Sequence, residues 1–363
     1  MNKEKKVLFI RGSMAASGYY QMLLPCTQLQ KLGYTCDIIN YETIDPDKMI
    51  GHKGIGNGKF VPYDLLKSDI VIFQLIVYEA LNRVVRKLKE TKIFTSMSID
   101  DNYLNLPRSN PAYWSFHPKA RTVIEDNKKV IKLYQEKVNP ALDNMLKAMR
   151  TVDMLQVSTP ELANLYKPLN DNIVVLENCI NNSLYDKVRK PQNSKPVVAW
   201  SGTKTHIDDL YLIDGCIPEN CILLIGGFPE VKDVGLFKYH PDIEFLPQCK
   251  FEEYPKMVAK ADIVAIPLVD NKFNSCKSDL KGLEYGACSI PCVASDVAPY
   301  RRWVEHGING FLASKTKHWL KYLKLLVEDK ELRERMGKVA KEKAKERDIS
   351  KYIGNWERTY FND

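Results

Sequence analysis

Long hydrophobic runs are missing from this sequence of 363 residues. Near the N-terminus the charged residues are followed by an apolar run of only four residues, Val7 to Ile10. A signal peptide needs a longer core, and a bilayer-spanning helix needs ~20 apolar residues. No later stretch reaches that length either. These absences predict a soluble cytoplasmic protein, in which the glycosylation sequence Asn181-Asn-Ser183 is coincidental.

Paired cysteines and metal-binding motifs are also missing. The nine cysteines are scattered without a C-x-x-C pair, and the six histidines form no H-E-x-x-H set. Asp45 and Asp47 have D-x-D spacing, but they fall in a polar turn region and not at the end of a strand. The sequence therefore predicts reduced thiols, no bound metal and no cofactor.

Composition and length limit the class of protein and the number of domains. Hydrophobic residues make up 45% and charged residues 27% of the chain, as in ordinary globular proteins, which excludes a disordered chain. The length suggests two domains of average size. The net charge of +8 favours anionic partners such as nucleotides, anionic lipid or nucleic acid, and charge alone does not choose among them.

Short apolar runs alternate with amphipathic stretches along the first half of the chain. This pattern is typical of parallel strands that are buried on both faces and connected by helices. The predicted strands are 7–11, 35–40, 70–75, 92–98, 154–158 and 173–176. The predicted helices include 19–32 and one long helix over 119–150.

The same pattern restarts after a polar linker that follows Leu176. Its predicted strands are 197–200, 221–225, 243–246, 263–267, 292–295 and 310–313, with helices at 251–260, 280–288 and after Trp319. The predicted fold class is α/β, with two Rossmann-like doubly wound domains, residues 1–178 and 190–349, that face a cleft. Ligands of such folds bind at the carboxyl ends of the strands.

The segment from Phe273 to Ala287 carries the strongest chemical signal. Ser278 is predicted to cap a helix whose first turn holds Asp279 and Leu280. Free amides at that helix start, with Lys277 and Lys281, would form a phosphate site. Glu284 lies on the same helix face as Lys281, and its carboxylate can accept hydrogen bonds from two ribose hydroxyls. The alternative is an exposed Lys/Glu pair on a capped amphipathic helix.

The segment from Phe273 to Ser295 resembles the donor-binding segment of the family 4, or group 1, glycosyltransferases of GT-B fold. The flanking segments 253–268 and 295–312 extend the resemblance over the C-terminal half. The resemblance implies a retaining glycosyltransferase that uses a UDP-sugar or GDP-sugar. It also implies that the terminal helix, about 350–363, packs back on the first domain. Cys276 stands where the family has a glutamate, so a hexose preference does not carry over.

The segment after the strand 197–200 is a second candidate for donor binding. Gly202 and Thr203 would let backbone amides approach a phosphate, and Lys204 or His206 could add a hydrogen-bond donor to the leaving diphosphate. The corresponding loop of the resembled family contacts the donor pyrophosphate. For His206 a local cap or core role is the alternative.

A loop after the first strand of the first domain is a further part of the predicted site. The loop with Gly12, Ser13, Ser17 and Gly18 lacks the G-x-G-x-x-G spacing, which argues against a NAD site. In the resembled family this loop lies beside donor phosphate and acceptor, and an ordinary turn is the alternative.

Asp100 and Asp101 follow the strand 92–98, whose end would open toward the cleft. The resembled family places a His or Asp near this strand end. We predict a catalytic role on the acceptor side for Asp100 and a structural role for Asp101. A pair of turn and cap aspartates is the alternative.

The sequence does not identify the acceptor or the other partners. A cell-surface glycan, a lipid-linked sugar, a protein or a modified nucleic acid would suit a basic enzyme. The basic helix 330–347 is interpreted as packing on its own domain, with anionic membrane or nucleic acid as the alternative partner. Competing functions are an inactive nucleotide-sugar-binding module, suggested by Cys276, and another nucleotide-sugar enzyme such as an epimerase.

Overall fold

The structure, a computed structural model, describes residues 3–41, 65–125 and 128–362. Asp45 and Asp47 lie outside the described residues. The chain divides into two compact units. The first consists of Met1–Leu106, Ala112–Asn178 and Ile349–Asp363, and the second of Pro107–Pro111 and Cys179–Asp348. Within the described ranges, no helix is both long and apolar enough to cross a membrane.

The first unit is built on a parallel sheet of six strands. Its strands, together with a separate hairpin, are β1 (Lys6–Arg11), β2 (Thr35–Asn40), β3 (Ile70–Gln74), β4 (Phe94–Ile99), β5 (Ala120–Glu125), β6 (Lys128–Leu133), β7 (Met154–Val157) and β8 (Ile173–Val175). The sheet order is β2-β1-β3-β4-β7-β8, and β5 pairs only with β6. The central strands β1 and β3 are buried almost throughout, as their continuous apolar runs predict.

Helices connect these strands. They are α1 (Ala16–Gly18), α2 (Leu24–Lys31), α3 (Glu79–Glu90), α4 (Ala112–Phe116), α5 (Ala141–Thr151) and α6 (Pro160–Tyr166). A π-helical turn, Tyr19–Leu23, joins α1 to α2, so the helix predicted over 19–32 is present. In α3 the buried Leu81, Val85 and Leu88 share one helix face.

The long helix predicted over 119–150 is wrong. In its place the structure has the antiparallel β5–β6 hairpin followed by α5. The β-branched residues Val123, Ile124, Val130 and Ile131 favour strands, a signal that the helical interpretation passed over. Pro140 sits at the N-cap position of α5, and Asn139 Oδ1 accepts a hydrogen bond from the amide of Ala141.

The second unit repeats the parallel architecture. Its strands are β9 (Val197–Ser201), β10 (Ile222–Gly226), β11 (Ile243–Leu246), β12 (Ile263–Ile266), β13 (Cys292–Ser295) and β14 (Gly310–Ala313), in the order β11-β10-β9-β12-β13-β14. Its helices are α7 (Asn182–Asp186), α8 (Ile207–Leu210), α9 (Tyr254–Val258), α10 (Leu280–Ala287), α11 (Ala298–Trp303), α12 (Thr316–Glu328) and α13 (Lys330–Glu346). Each of the twelve strands predicted for the two sheets is present.

Close packing of α10 on α13 fixes the helix that carries Lys281 and Glu284. A Cβ on Gly337 would lie 2.1 Å from the carbonyl oxygen of Ser289, and one on Gly286 would lie 3.0 Å from that of Ala340. Trp303 fills the space beside Gly282, 2.4 Å from a Cβ at that position. Gly286 and Gly337 thus let the backbones around α10 and α13 approach each other, while Gly282 makes room for the Trp303 ring.

The last helix, α14 (Ile349–Tyr360), belongs to the first unit. Its Trp356 packs against Phe9 with ring centroids 6.0 Å apart. The Tyr360 hydroxyl donates to Gln156 Oε1 over 2.7 Å, and Gln156 Nε2 donates to Gln21 Oε1 over 3.1 Å. All three polar side chains are buried, so this bonded network ties α14 and the π-helical turn to the sheet.

Candidate functional site

Gly202 marks the centre of the candidate site in the second unit. It follows β9, and its amide donates to the carbonyl oxygen of Gly226 over 3.0 Å. A Cβ on Gly202 would lie 2.7 Å from the Trp200 ring and 3.0 Å from Nζ of Lys281. The absence of a side chain therefore lets this loop lie directly against Lys281. The structure thus brings together two residues that the sequence placed in separate motifs.

Lys281 is a half-buried cation on the first turn of α10. Its Nζ lies 5.1 Å from the centroid of the Trp200 ring, within cation–π range. Burial lowers the pKa of Lys281 to about 8, although the negative charges of Glu284 and Asp209 oppose the shift. An anion placed beside this ammonium would favour its charged form.

Glu284 is buried, with 5% of its surface exposed. Its Oε2 accepts a hydrogen bond from the Tyr254 hydroxyl over 3.0 Å, and the same hydroxyl lies 3.0 Å from Ser201 Oγ. Burial, with the negative charge of Glu284, raises the pKa of Tyr254 well above its ordinary value. Tyr254 therefore stays protonated and serves as a donor to the carboxylate. The alternative of an exposed Lys/Glu pair does not describe Glu284.

Tyr254 is a site residue that the sequence analysis missed. It lies within the resembling segment 253–268, but it is far from Glu284 along the chain and no motif spacing connects them. Its position at the start of α9 is what brings the hydroxyl to Ser201 and Glu284. The contacts of Tyr254 with Ser201 and Glu284 become apparent only in the folded structure.

His206 is held by a buried carboxylate. Its Nδ1 lies 2.8 Å from Oδ2 of Asp209, which is 3% exposed. The other oxygen of Asp209 accepts hydrogen bonds from the Val269 amide and from Asn274 Nδ2, over 2.7 and 2.9 Å. Burial lowers the pKa of His206, and the positive charges of Lys281 and Lys277 act in the same direction, although Asp209 opposes them. Asp209 was not among the predicted site residues.

The start of α10 differs from the prediction in one respect. The helix begins at Leu280 with Asp279 at the N-cap position, and the Asp279 side chain makes no capping hydrogen bond, so the prediction of Ser278 as the N-cap is wrong by one residue. The Asp279 carboxylate instead lies 3.5 Å from Nη1 of Arg347. Lys277 adopts extended backbone and places its Nζ 4.4 Å from the centroid of the Phe273 ring.

The remaining donor-side candidates lie nearby in the sequence. Thr203 and Lys204 are exposed, and the Thr203 hydroxyl lies 2.8 Å from that of Thr205. Cys276 is buried and ends a short 3₁₀ turn, Asn274–Cys276. A thiol at this position cannot replace the two strong acceptor oxygens of a glutamate.

The glycines of the first-unit loop have packing roles. The side-chain oxygen Oε1 of Gln74 accepts from the amides of Gly12 and Ser13, over 3.0 and 3.1 Å. A Cβ on Gly12 would lie 2.6 Å from the carbonyl oxygen of Gln74. One on Gly18 would overlap the carbonyl oxygen of Ser13 at 1.7 Å, while Ser17 is half-buried on α1. Gln74 thus anchors this loop at the carboxyl end of β3.

Asp100 and Asp101 follow β4 at the same edge of the first sheet, and both are half-buried. The hydroxyl of the fully buried Tyr166 donates to the carbonyl oxygen of Asp101 over 2.9 Å and accepts from the Tyr103 amide over 3.1 Å. Tyr166 thus fixes the backbone of the turn that carries both aspartates. Tyr166 gave no sequence signal.

Comparison with known proteins agrees with the two-sheet fold. Residues 223–343 match the family model described as glycosyl transferases group 1. Sucrose-phosphate synthase from Thermosynechococcus elongatus is 14% identical, with a TM-score of 0.67 and 98% of each chain covered. Anabaena HepE in complex with UDP and glucose is 14% identical, with a TM-score of 0.63 over 98% of this chain and 99% of that one. No curated protein matches the sequence significantly.

This chain has the GT-B fold, and its second unit is similar to the group 1 glycosyltransferases. A third GT-B structure, the catalytic domain of starch synthase IV from Arabidopsis thaliana bound to ADP and acarbose, is 12% identical. Its TM-score is 0.62, with 98% of each chain covered. The matched residues of this GT-B chain include Tyr254, Lys281 and Glu284, whereas Gly202 and His206 precede the match. In the part of the chain that the structure describes, no cluster of three His, Cys, Asp or Glu side chains could hold a metal ion.

Proposed function

We propose that this protein transfers a glycosyl group from a UDP-sugar or GDP-sugar to an acceptor hydroxyl, with retention of configuration and without a metal or other cofactor. The observation that carries the proposal is the buried Glu284 carboxylate beside the Lys281 ammonium at the Gly202 loop. A nucleoside diphosphate has vicinal hydroxyls and an adjacent diphosphate. In this site Glu284 can accept hydrogen bonds from the hydroxyls, and Lys281 offers a positive charge to the diphosphate.

Glu284 is proposed to hold the ribose. One of its oxygens is oriented by Tyr254, and a carboxylate has several acceptor positions, so hydroxyl groups of the ribose can share them. Lys281, the backbone around Gly202 and the first amides of α10 are proposed to hold the diphosphate. The first amides of a helix have no acceptor within the helix and carry partial positive charge.

His206 is proposed to assist departure of the nucleoside diphosphate. Asp209 fixes the ring through Nδ1, so the second ring nitrogen, Nε2, is the one that would face a ligand. A protonated His206 could donate to a phosphate oxygen, and Lys281 would neutralise the developing charge. Such electrostatic stabilisation of the leaving group would supply most of the rate enhancement. HepE and starch synthase IV were solved with UDP and ADP, which supports a nucleotide partner.

Calorimetric titration with UDP, GDP and ADP tests the proposal. We expect at least one of them to bind with a Kd below about 1 mM, and Glu284→Gln to weaken that binding by at least tenfold, about 1.4 kcal/mol. The matched control is the exposed Glu252→Gln, which should leave the Kd unchanged. Equal affinity in both variants would show that Glu284 does not hold the nucleotide.

A nucleotide-sugar-binding module without turnover is the second candidate, because buried Cys276 replaces the glutamate expected there. The two candidates differ in donor consumption. Slow hydrolysis of UDP-glucose or GDP-mannose, or transfer to an added acceptor, would support the transferase. Tight binding with no donor consumed under any condition would support the module.

A further inference from the structure

The β5–β6 hairpin concentrates exposed apolar side chains. Of the sixteen large hydrophobic residues that are exposed in the described ranges, four fall between residues 120 and 134. Ile124 is 74% exposed, Leu133 60%, Ile131 43% and Tyr134 39%. Single exposed apolar residues are ordinary on protein surfaces, whereas a contiguous group indicates a surface that is covered in use.

Three of these side chains share one face of the hairpin. Ile131 pairs with Thr122 and Leu133 with Ala120, and Ile124 pairs with Lys129. Side chains alternate between the two faces of a strand, so Ile124, Ile131 and Leu133 lie on the same face. The hairpin therefore presents a row of branched aliphatic side chains.

Cationic residues lie on both faces of the hairpin. By the same pairing, Lys129 shares the face of Ile124, whereas Arg121, Lys128 and Lys132 lie on the opposite face. Residues 119–134 carry five cationic and two acidic side chains, a net charge of +3. Lys119, Arg121, Lys128, Lys129 and Lys132 are all exposed. Lys132 forms an ion pair with Glu125, while Lys129 stands directly opposite Ile124. Positive charge and apolar surface thus occupy the same ribbon.

A buried residue and backbone hydrogen bonds anchor the hairpin at its base. Ala120 is fully buried, the Tyr134 amide donates to the Lys119 carbonyl oxygen over 2.9 Å, and the Val138 amide donates to that of Pro118 over 2.9 Å. Neither strand pairs with the six-stranded sheet of the first unit. A two-stranded ribbon alone is only marginally stable in water, so this one would gain from a surface that covers it.

We propose that the β5–β6 hairpin is a contact surface for an anionic lipid bilayer. The aliphatic side chains would enter the headgroup boundary, and the lysines of the hairpin, with Lys129 on the aliphatic face itself, would pair with lipid phosphates. A nucleic acid would account for the lysines but would leave the exposed Ile and Leu uncovered. A second copy of the same ribbon would bring like charges together, which disfavours edge-to-edge pairing. The inference is independent of the proposed function, because vesicle binding requires no sugar donor.

Vesicle co-sedimentation of the full chain tests this surface. The probes are vesicles of phosphatidylcholine alone and vesicles with about one third phosphatidylglycerol. We expect binding to the anionic vesicles only. Ile124→Ser with Ile131→Ser, and separately Lys128→Glu with Lys129→Glu, should each weaken it at least about tenfold. The matched control is Arg335→Glu with Lys338→Glu on the basic helix α13, which should bind within about twofold of the wild type.

Three outcomes would overturn the proposal. Equal binding of the hairpin variants and the wild type would show that the hairpin does not contact lipid. A loss confined to the α13 variant would assign the surface to that helix. No vesicle binding, together with a dimer that the Ile124→Ser, Ile131→Ser variant converts to a monomer, would make a second copy the occupant. Thermal unfolding and the Kd for UDP, both unchanged in the hairpin variants, serve as the check on folding.

Discussion

The Tyr254 hydroxyl donates a hydrogen bond of 3.0 Å to Oε2 of Glu284, although the two residues lie on different helices, α9 and α10. The bond fixes a carboxylate that burial would otherwise make costly to keep charged. It also explains how one oxygen is oriented while the group remains able to accept from a ligand. Tyr254 is a positioning residue for Glu284.

Tyr254→Phe should weaken UDP binding about tenfold to 150-fold, because a hydrogen bond to a charged group contributes about 1.5–3 kcal/mol. A general loss of structure would also weaken binding, so 2′-deoxy-UDP is titrated alongside UDP. If Tyr254 acts through Glu284, the preference for UDP over its deoxy analogue will shrink in the variant. The exposed Tyr211→Phe is the control and should leave both affinities unchanged.

Nucleotide affinity should rise as the pH falls from about 9 to 7, because binding takes up protons. The pKa of Lys281 is lowered to about 8 in the free protein, and that of His206 lies below its ordinary value, both because of burial. A diphosphate favours the charged forms, so its binding raises both pKa values. The affinity for UDP should therefore increase by at most about tenfold per pH unit per proton.

Lys281→Arg isolates the contribution of the lysine to this pH dependence. A guanidinium stays charged throughout this range, so the variant should retain binding with a shallower pH dependence between about 7 and 9, and His206 would supply what remains. Calorimetry in buffers of different ionisation enthalpy measures the proton uptake directly. The same slope in the wild type and in Lys281→Arg would assign the pH dependence to another group.

Asp100→Asn should lower the rate of glycosyl transfer by at least ~100-fold, while the affinity for UDP stays within about threefold. The reason is that Asp100 lies at the carboxyl edge of the first sheet, in a unit that contributes none of the residues proposed to hold the nucleotide. Asp101→Asn is the matched control, since Tyr166 uses only the backbone carbonyl of Asp101. An active Asp100→Asn beside an inactive Asp101→Asn would exchange the two roles.

Gly337→Ala should destabilise the second unit by about 1–3 kcal/mol, because its Cβ would press on the Ser289 carbonyl oxygen, 2.1 Å away. The higher helix propensity of alanine, about 1 kcal/mol, offsets only part of this cost. Gly354→Ala on α14 is the control, since its Cβ would have no neighbour closer than 3.6 Å. That variant should be as stable as the wild type or more stable in denaturant unfolding, and equal losses in both would argue against the packing explanation.

Local patterns in the sequence were sufficient to predict the two parallel sheets and to select most of the residues of the candidate site. Continuous apolar runs such as those of β3 and β12 arise because both faces of a parallel sheet are buried, so they can be read without the structure. The loop at Gly202 and the helix with Lys281 and Glu284 could be found because turn glycines and helix starts have local signatures.

Only the tertiary structure decided which distant side chains meet. Tyr254, Asp209 and Gln74 act through contacts with residues far away in the sequence, and no spacing rule encodes such pairs. The helix predicted over 119–150 was wrong for a related reason, which concerns the segment 119–139. Its charged and β-branched residues are compatible with a solvated helix or a hairpin, and the contacts at the base around Pro118, Tyr134 and Val138 select the hairpin. Sequence periodicity determined the sheets because burial acts residue by residue, whereas the site and the hairpin depend on cooperative contacts between elements.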